Sequence, residues 1–205
     1  MPDFGLEDQA RREGHAVIAG VDEAGRGPWA GPVVAGAVIL DLVNLSSELR
    51  RGLDDSKKLK PQRREDLLAR LEREARIGVG QADVSEIDSL NILQATLLAM
   101  ARAVRDLGVT PDMALVDGNR EPALDCPVRC VVRGDGQSLS IAAASIAAKV
   151  TRDRIMAGLA ETFPGYGWER NAGYGTREHQ MALHRLGVTP EHRMSYAPIK
   201  KILGR

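Results

Sequence analysis

The sequence predicts an α/β fold: a mixed five-stranded sheet flanked by helices, with a small helical extension at its C-terminal end. Three observations lead there. Five short apolar runs, at about residues 16–22, 32–40, 76–82, 113–116 and 128–132, hold β-branched residues suited to a buried, pleated surface. Segments with apolar residues at helical spacing fall before the third run, between the third and fourth, and after the fifth, an order that suits a sheet with helices on its faces. After about residue 162 the chain is rich in turns and polar residues, with one clear helix.

In order along the chain, a polar leader is expected to fray, and the first two strands then flank the glycine turn Gly25-Arg26-Gly27-Pro28. A polar stretch at 41–60 follows. Pro61 suits the first turn of a helix, and Leu67, Leu68, Leu71 and Ala75 give it an apolar stripe. Leu90, Leu93, Leu97, Met100, Ala101, Val104 and Leu107 mark a second helix, stopped by Gly108. An alanine-rich helix is expected over 139–161, broken by Phe163-Pro164-Gly165. A last helix runs over 176–186, with Thr176 as its cap and Gly187 beyond its end. The domain reading is a catalytic unit over 1–161 with an extension over 162–205 packed upon it.

The chain has 205 residues, with 28 basic residues matched by 28 acidic ones. Neutral balance does not exclude nucleic acid, because a clustered basic face suffices. No apolar segment approaches the length that spans a bilayer. The leader lacks the apolar core of a signal peptide, so no membrane association and a cytoplasmic location are expected. Cys126 and Cys130 lack partner histidines at metal-ligand spacing and are read as reduced and structural. The four histidines form no H-E-x-x-H pattern, which excludes a zincin. Gly25-x-Gly27-x-x-Ala30 matches a dinucleotide fingerprint, but that motif needs a helix opening at the glycines. Pro28, Gly31 and Pro32 interrupt the chain instead, and a strand-like run follows.

Acids stand at three strand ends: Asp22-Glu23, Asp117 and Asp135. Ligands of open α/β sheets gather beyond strand ends, so these carboxylates can converge. Brought together they repel one another unless cations neutralise them. Oxygen-only ligands favour Mg²⁺ or Mn²⁺ over zinc, and a pair of such ions about 3.5–4 Å apart is the usual device for phosphodiester cleavage. Taken singly, Asp117-Gly118-Asn119 and Gly134-Asp135-Gly136 read more readily as turns than as site residues.

The stretch DEAGRGPWAGPVV (22–34) resembles the signature of bacterial ribonuclease HII. The resemblance recurs in VDGNR (116–120), VVRGD (131–135) and AAASIAAKVTRD (142–153), and covers about residues 17–200. It implies a ribonuclease H-like fold, with the first and fourth strands adjacent, and Asp22, Glu23, Asp117 and Asp135 as catalytic, metal-binding carboxylates. The implied activity is metal-dependent hydrolysis 5′ of ribonucleotides in RNA–DNA hybrids, and of single ribonucleotides in duplex DNA, leaving a 3′-hydroxyl and a 5′-phosphate. Glycine permits close backbone approach to the 2′-OH that separates RNA from DNA. In the family the turn Gly25-Arg26-Gly27 reads the ribonucleotide with a tyrosine, here Tyr174. The family commonly has His-Lys where this chain has Asn171-Ala172, and Arg at the place of Met194.

Phosphate contacts are expected from Ser56, Lys57 and Lys58 in the matching D-S-K-K-L segment, and from Asn91. Ser145, Lys149 and Arg152 are also expected there, at spacings that share one helix face. The chain is expected to be a monomer and shows no clamp-binding motif. The rival readings are a non-catalytic nucleic-acid-binding module of the same fold, and a small-molecule phosphatase. The four acids count against the first, and the second gives no reason for Lys57, Lys58, Lys149 and Arg152.

Overall fold

The computed structural model describes residues 1–41 and 43–204. Leu42, in the expected 41–60 stretch, and Arg205, at the end of the expected extension, lie outside the described residues. The elements run α1 (Gly5–Arg12), β1 (Ile18–Ala24), β2 (Val33–Leu40), α2 (Ser47–Gly52), α3 (Pro61–Glu74) and β3 (Ala75–Ala82). They continue with α4 (Val84–Leu90), α5 (Ile92–Asp106), β4 (Met113–Asp117), β5 (Val128–Val131) and a 3₁₀ turn (Gly134–Gly136). The last four are α6 (Leu139–Thr162), α7 (Trp168–Asn171), α8 (Arg177–Leu186) and α9 (Ala197–Ile202).

The five strands form one mixed sheet in the order β3-β2-β1-β4-β5. β1 pairs antiparallel with β2 and parallel with β4, so the first and fourth strands are adjacent. Two apolar layers cover the sheet. On one face α5 packs through Ala95, Ala99, Met100 and Ala103 against Val21, Val33, Ala35 and Val116. On the other, α6 joins α3 and α2 around Val38, Leu49, Leu67, Leu71, Ala143 and Ile146.

The alanine-rich composition of α6 has a physical purpose. Residues 139–148 are buried on every side, as a helix apolar all round must be. Opposite them the strands carry glycine. A Cβ on Gly20 would lie 2.1 Å from the Ser140 carbonyl carbon, and one on Gly36 would lie 2.4 Å from the Ala144 oxygen. Small residues on both surfaces bring helix and sheet together at a distance that larger side chains forbid.

The structure departs from the sequence reading in four places. The leader is not frayed: α1 docks its buried Glu7 on the start of α6, where Glu7 Oε1 accepts from Ser138 Oγ and from the Ser140 amide and hydroxyl. A carboxylate at a helix N-terminus satisfies its free amides and suits its dipole. Within 41–60, α2 forms with Ser46 as its cap. The helix expected from Leu90 to Leu107 begins at Ile92 instead, and Leu90 ends a separate helix, α4, because Asn91 takes φ 70° between the two. Finally, β1 runs on to Ala24, so Asp22 and Glu23 lie within the strand, opposite Gly36 and Ala35, rather than beyond its end.

Candidate active site

The parallel register of β1 and β4 builds the centre of the site. Val21 pairs with Val116, which brings the next residues, Asp22 and Asp117, side by side. Among the described residues, Asp22, Glu23 and Asp117 form a group whose ligand oxygens all lie within 4.8 Å of one another. Asp22 is only 4% exposed, and its Oδ1 accepts from the Glu23 amide at 2.7 Å. Asp117 Oδ1 accepts from the Gly134 amide at 2.6 Å, which ties the end of β4 to the 3₁₀ turn. Burial pushes the Asp22 carboxyl well above its ordinary range, the charges of Glu23 and Asp117 push the same way, and a hydrogen bond from Ser145 opposes them. Burial also raises Glu23, against the pull of Arg26 at 3.3 Å.

Asp135 stands outside this group of three, a difference from the expected convergence of four. It sits on the 3₁₀ turn beyond β5, one strand further from β1. Its Oδ2 lies 3.9 Å from Lys57 Nζ, and burial, followed by the charges of Asp55 and Asp117, raises its pKa. Burial draws the Lys57 ammonium down, but Asp22, Asp135 and Asp55 outweigh it and raise its pKa. The donor set fits a hard divalent cation: oxygen ligands only, partly buried, with too little positive charge around them to stabilise all as anions.

Beside the carboxylates, a cleft of about 230 Å³ is lined by Glu23, Gly25, Arg26, Gly27, Ser56, Lys57, Ser145, Lys149, Arg152 and Tyr174. Tyr174 is 47% exposed, and its ring edge would lie 3.4 Å from a Cβ on Gly27. Gly25 takes φ +98°, and any side chain there would strike the Arg152 guanidinium. The hydroxyls of Ser56 and Ser145 meet at 2.9 Å in the buried floor. Lys149 pairs with Asp153 at 2.5 Å, and Lys58 with Asp54 at 3.2 Å. Lys58 and Asn91 do not line the cleft. Asn91 caps α5, its Oδ1 accepting from the amides of Leu93 and Gln94.

One expectation needs correction. Arg152 does not share a solvated face with Lys149: it is 1% exposed, and its donors bond the carbonyls of Pro32, Ala172 and Ala30 at 3.0–3.2 Å. The last turns of α6 pass beneath the segment from Trp29 to Pro32, so the donors of Arg152 are taken up by backbone at the wall of the cleft.

Sequence reasoning assigned no role to Arg193. It is fully buried and gathers the carbonyls of Gly25, Arg26, Gly31 and Pro32, so that one guanidinium shapes the whole glycine turn. Nothing in its local sequence separates it from a solvated arginine. Asn171, where the family commonly has His, bonds the Tyr166 carbonyl and the Gly173 amide and so shapes the approach to Tyr174. Met194 presents its amide to Asp88.

The ribonuclease HII family model matches residues 19–199. The chain belongs to the ribonuclease HII family. It is 58% identical over 203 residues to the ribonuclease HII of Paramagnetospirillum magneticum, a match covering 99% of both chains. The crystal structure of ribonuclease H2 from Pyrococcus horikoshii superposes with a TM-score of 0.76 at 29% identity, covering 93% of this chain and 98% of that one. A ribonuclease HIII solved in complex with Mn²⁺ shares the fold, with a TM-score of 0.76 at 19% identity over 95% of this chain and 71% of that one. The protein is therefore a metal-dependent endonuclease of the ribonuclease H class. No helix among the described residues is long and apolar enough to cross a membrane.

Proposed function

We propose that the enzyme hydrolyses the phosphodiester on the 5′ side of a ribonucleotide, both in RNA–DNA hybrids and at single ribonucleotides in duplex DNA, leaving a 3′-hydroxyl and a 5′-phosphate. The observation that carries this reading is the adjacency of the three clustered carboxylates to a glycine turn overlooked by an exposed tyrosine. Asp22, Glu23 and Asp117 would hold Mg²⁺ or Mn²⁺, with Asp135 contributing to a second position. When bound, such ions activate the attacking water and stabilise the leaving oxygen.

The chain's own residues do the rest. The backbone of Gly25, Arg26 and Gly27 meets the 2′-OH, and the Tyr174 ring lies against the sugar. Lys57 and Lys149 meet phosphates, and both are close enough to acids to be held in place while free of substrate. All these groups come from one chain, which supports action as a monomer. The decisive experiment is cleavage of a duplex carrying one ribonucleotide, with the ends of the products mapped. Cleavage only on the 3′ side of the ribose, or equal cleavage of all-DNA duplex, would overturn the proposal.

A further inference from the structure

Two buried histidines lie behind Tyr174, in the apolar cluster that joins α8 and the 189–196 segment to the end of α6. Both are fully buried, His179 on α8 and His192 in the stretch bridged to Ala30. Their Nε2 atoms meet at 3.1 Å. The Thr189 hydroxyl, 2.9 Å from His192 Nδ1, can donate or accept, but three other contacts are to groups that can do only one, and these place the protons. The Tyr174 carbonyl, 3.0 Å from His179 Nδ1, can only accept, so His179 carries its proton on Nδ1. The Trp168 indole N–H can only donate, so His179 Nε2, 3.2 Å away, is bare. The Thr189 amide can only donate, so His192 Nδ1, at 2.9 Å, is bare as well. His192 then carries its proton on Nε2 and points it at His179 Nε2, sharing that atom's one lone pair with the Trp168 indole N–H in a three-centre bond.

The resulting line runs from Thr189 through His192 and His179 to the Tyr174 carbonyl. It joins the two sides of the cleft, because His192 pairs with Ala30 just beyond the glycine turn and His179 grips the backbone of the tyrosine. We infer that His179 and His192 are positioning residues for ribonucleotide recognition: two neutral imidazoles of opposite tautomer that hold Tyr174 in register with Gly25-Arg26-Gly27. This rests on the reading of Tyr174 as the residue set against the ribose. An added proton on either ring would leave two N–H groups facing each other, and burial opposes that proton by lowering both pKa values, that of His192 to about 4.

The test has two arms. Imidazole ¹⁵N spectra of the wild-type protein at neutral pH should show His179 protonated on Nδ1 alone and His192 on Nε2 alone; any other pattern overturns the inference without a variant being made. The second arm measures turnover on a single-ribonucleotide duplex and affinity for plain duplex DNA. His192→Ala should lower kcat by about tenfold through a displacement of a few tenths of an ångström at Tyr174, with DNA affinity unchanged. His192→Gln, which keeps an amide donor toward His179, should recover most of the loss. In a Tyr174→Ala background the His192→Ala change should cost less than about twofold, since coupled residues are not additive. A full loss in both backgrounds would mean that His192 acts independently of Tyr174. If Tyr174→Ala alone leaves turnover intact, the reading of Tyr174 fails and the inference falls with it. If Tyr174→Ala is damaging but His192→Ala is silent, the inference alone fails. Should His192→Ala not fold, the wild-type spectrum still decides.

Discussion

Replacing Asp22 with Asn should separate stability from activity in opposite directions. Asp22 is almost fully buried, with the oxygens of Glu23 and Asp117 within 4.8 Å. Two unit charges at that separation repel by about 3 kcal/mol at an effective dielectric constant of about 20. Asp22 escapes part of this by taking up a proton, the direction in which burial pushes it, so the relief in metal-free protein is a part of that Coulomb repulsion, about 2 kcal/mol. Asparagine has nearly the same volume, and its Oδ1 can still accept from the Glu23 amide. Its amide hydrogens would face carboxylates. Differential scanning in EDTA should therefore show a Tm about 5 °C above wild type for a chain of this size. Added Mn²⁺ should raise the wild-type Tm and leave the variant nearly unmoved. Turnover should fall by at least about a hundredfold, since ion-assisted charge stabilisation is worth several kcal/mol. A Tm in EDTA at or below wild type, or turnover near wild type, would refute the electrostatic reasoning.

Four further outcomes follow from the same geometry. Folding holds the His192 pKa at about 4 against an ordinary 6.5, so its contribution is complete above about pH 6.5 and lost as pH falls through 4. The amount is about 3 kcal/mol, read from urea unfolding at pH 7 and pH 4. The raised Asp22 and Glu23 change stability in the opposite sense over that window, so the difference between wild type and His192→Gln isolates the histidine; identical pH profiles would contradict it. Gly27→Ala should set a methyl in ordinary contact with the Tyr174 ring, in the space a closely approaching ribose would need, and lower turnover at a single ribonucleotide by about tenfold, with affinity for plain DNA preserved. Equal losses would mean that the turn merely holds the duplex backbone. Lys149→Ala should reduce the salt slope of duplex binding by about one if it neutralises a phosphate. Arg152→Lys should instead lower the Tm, because a lysine cannot reach the carbonyls of Pro32, Ala172 and Ala30 together, and each one left unbonded costs about 1–3 kcal/mol.

What the sequence determined by itself was whatever depends on neighbours along the chain. The five β-branched runs, the cap at Thr176 and the helix that opens at Pro61 are local, and their side chains meet partners a few residues away. The acids and the glycine turn were legible because the motifs that hold them are contiguous and resemble a family signature; taken singly, acids at strand ends read as turns. The fate of each charged side chain was not legible, because it depends on which distant backbone closes over it. Lys149 and Arg152 stand three residues apart on one helix, yet one is left partly exposed beside Asp153 and the other is enclosed by carbonyls from around residue 30. Arg193 and the pair His179–His192 look like ordinary polar residues in sequence. They become the frame of the cleft only when the C-terminal segment folds back along Trp29 and Ala30. Asp135 differs from Asp22 and Asp117 for the same reason: sheet order puts β1 beside β4 and leaves β5 one strand further out, a distance that no local pattern encodes.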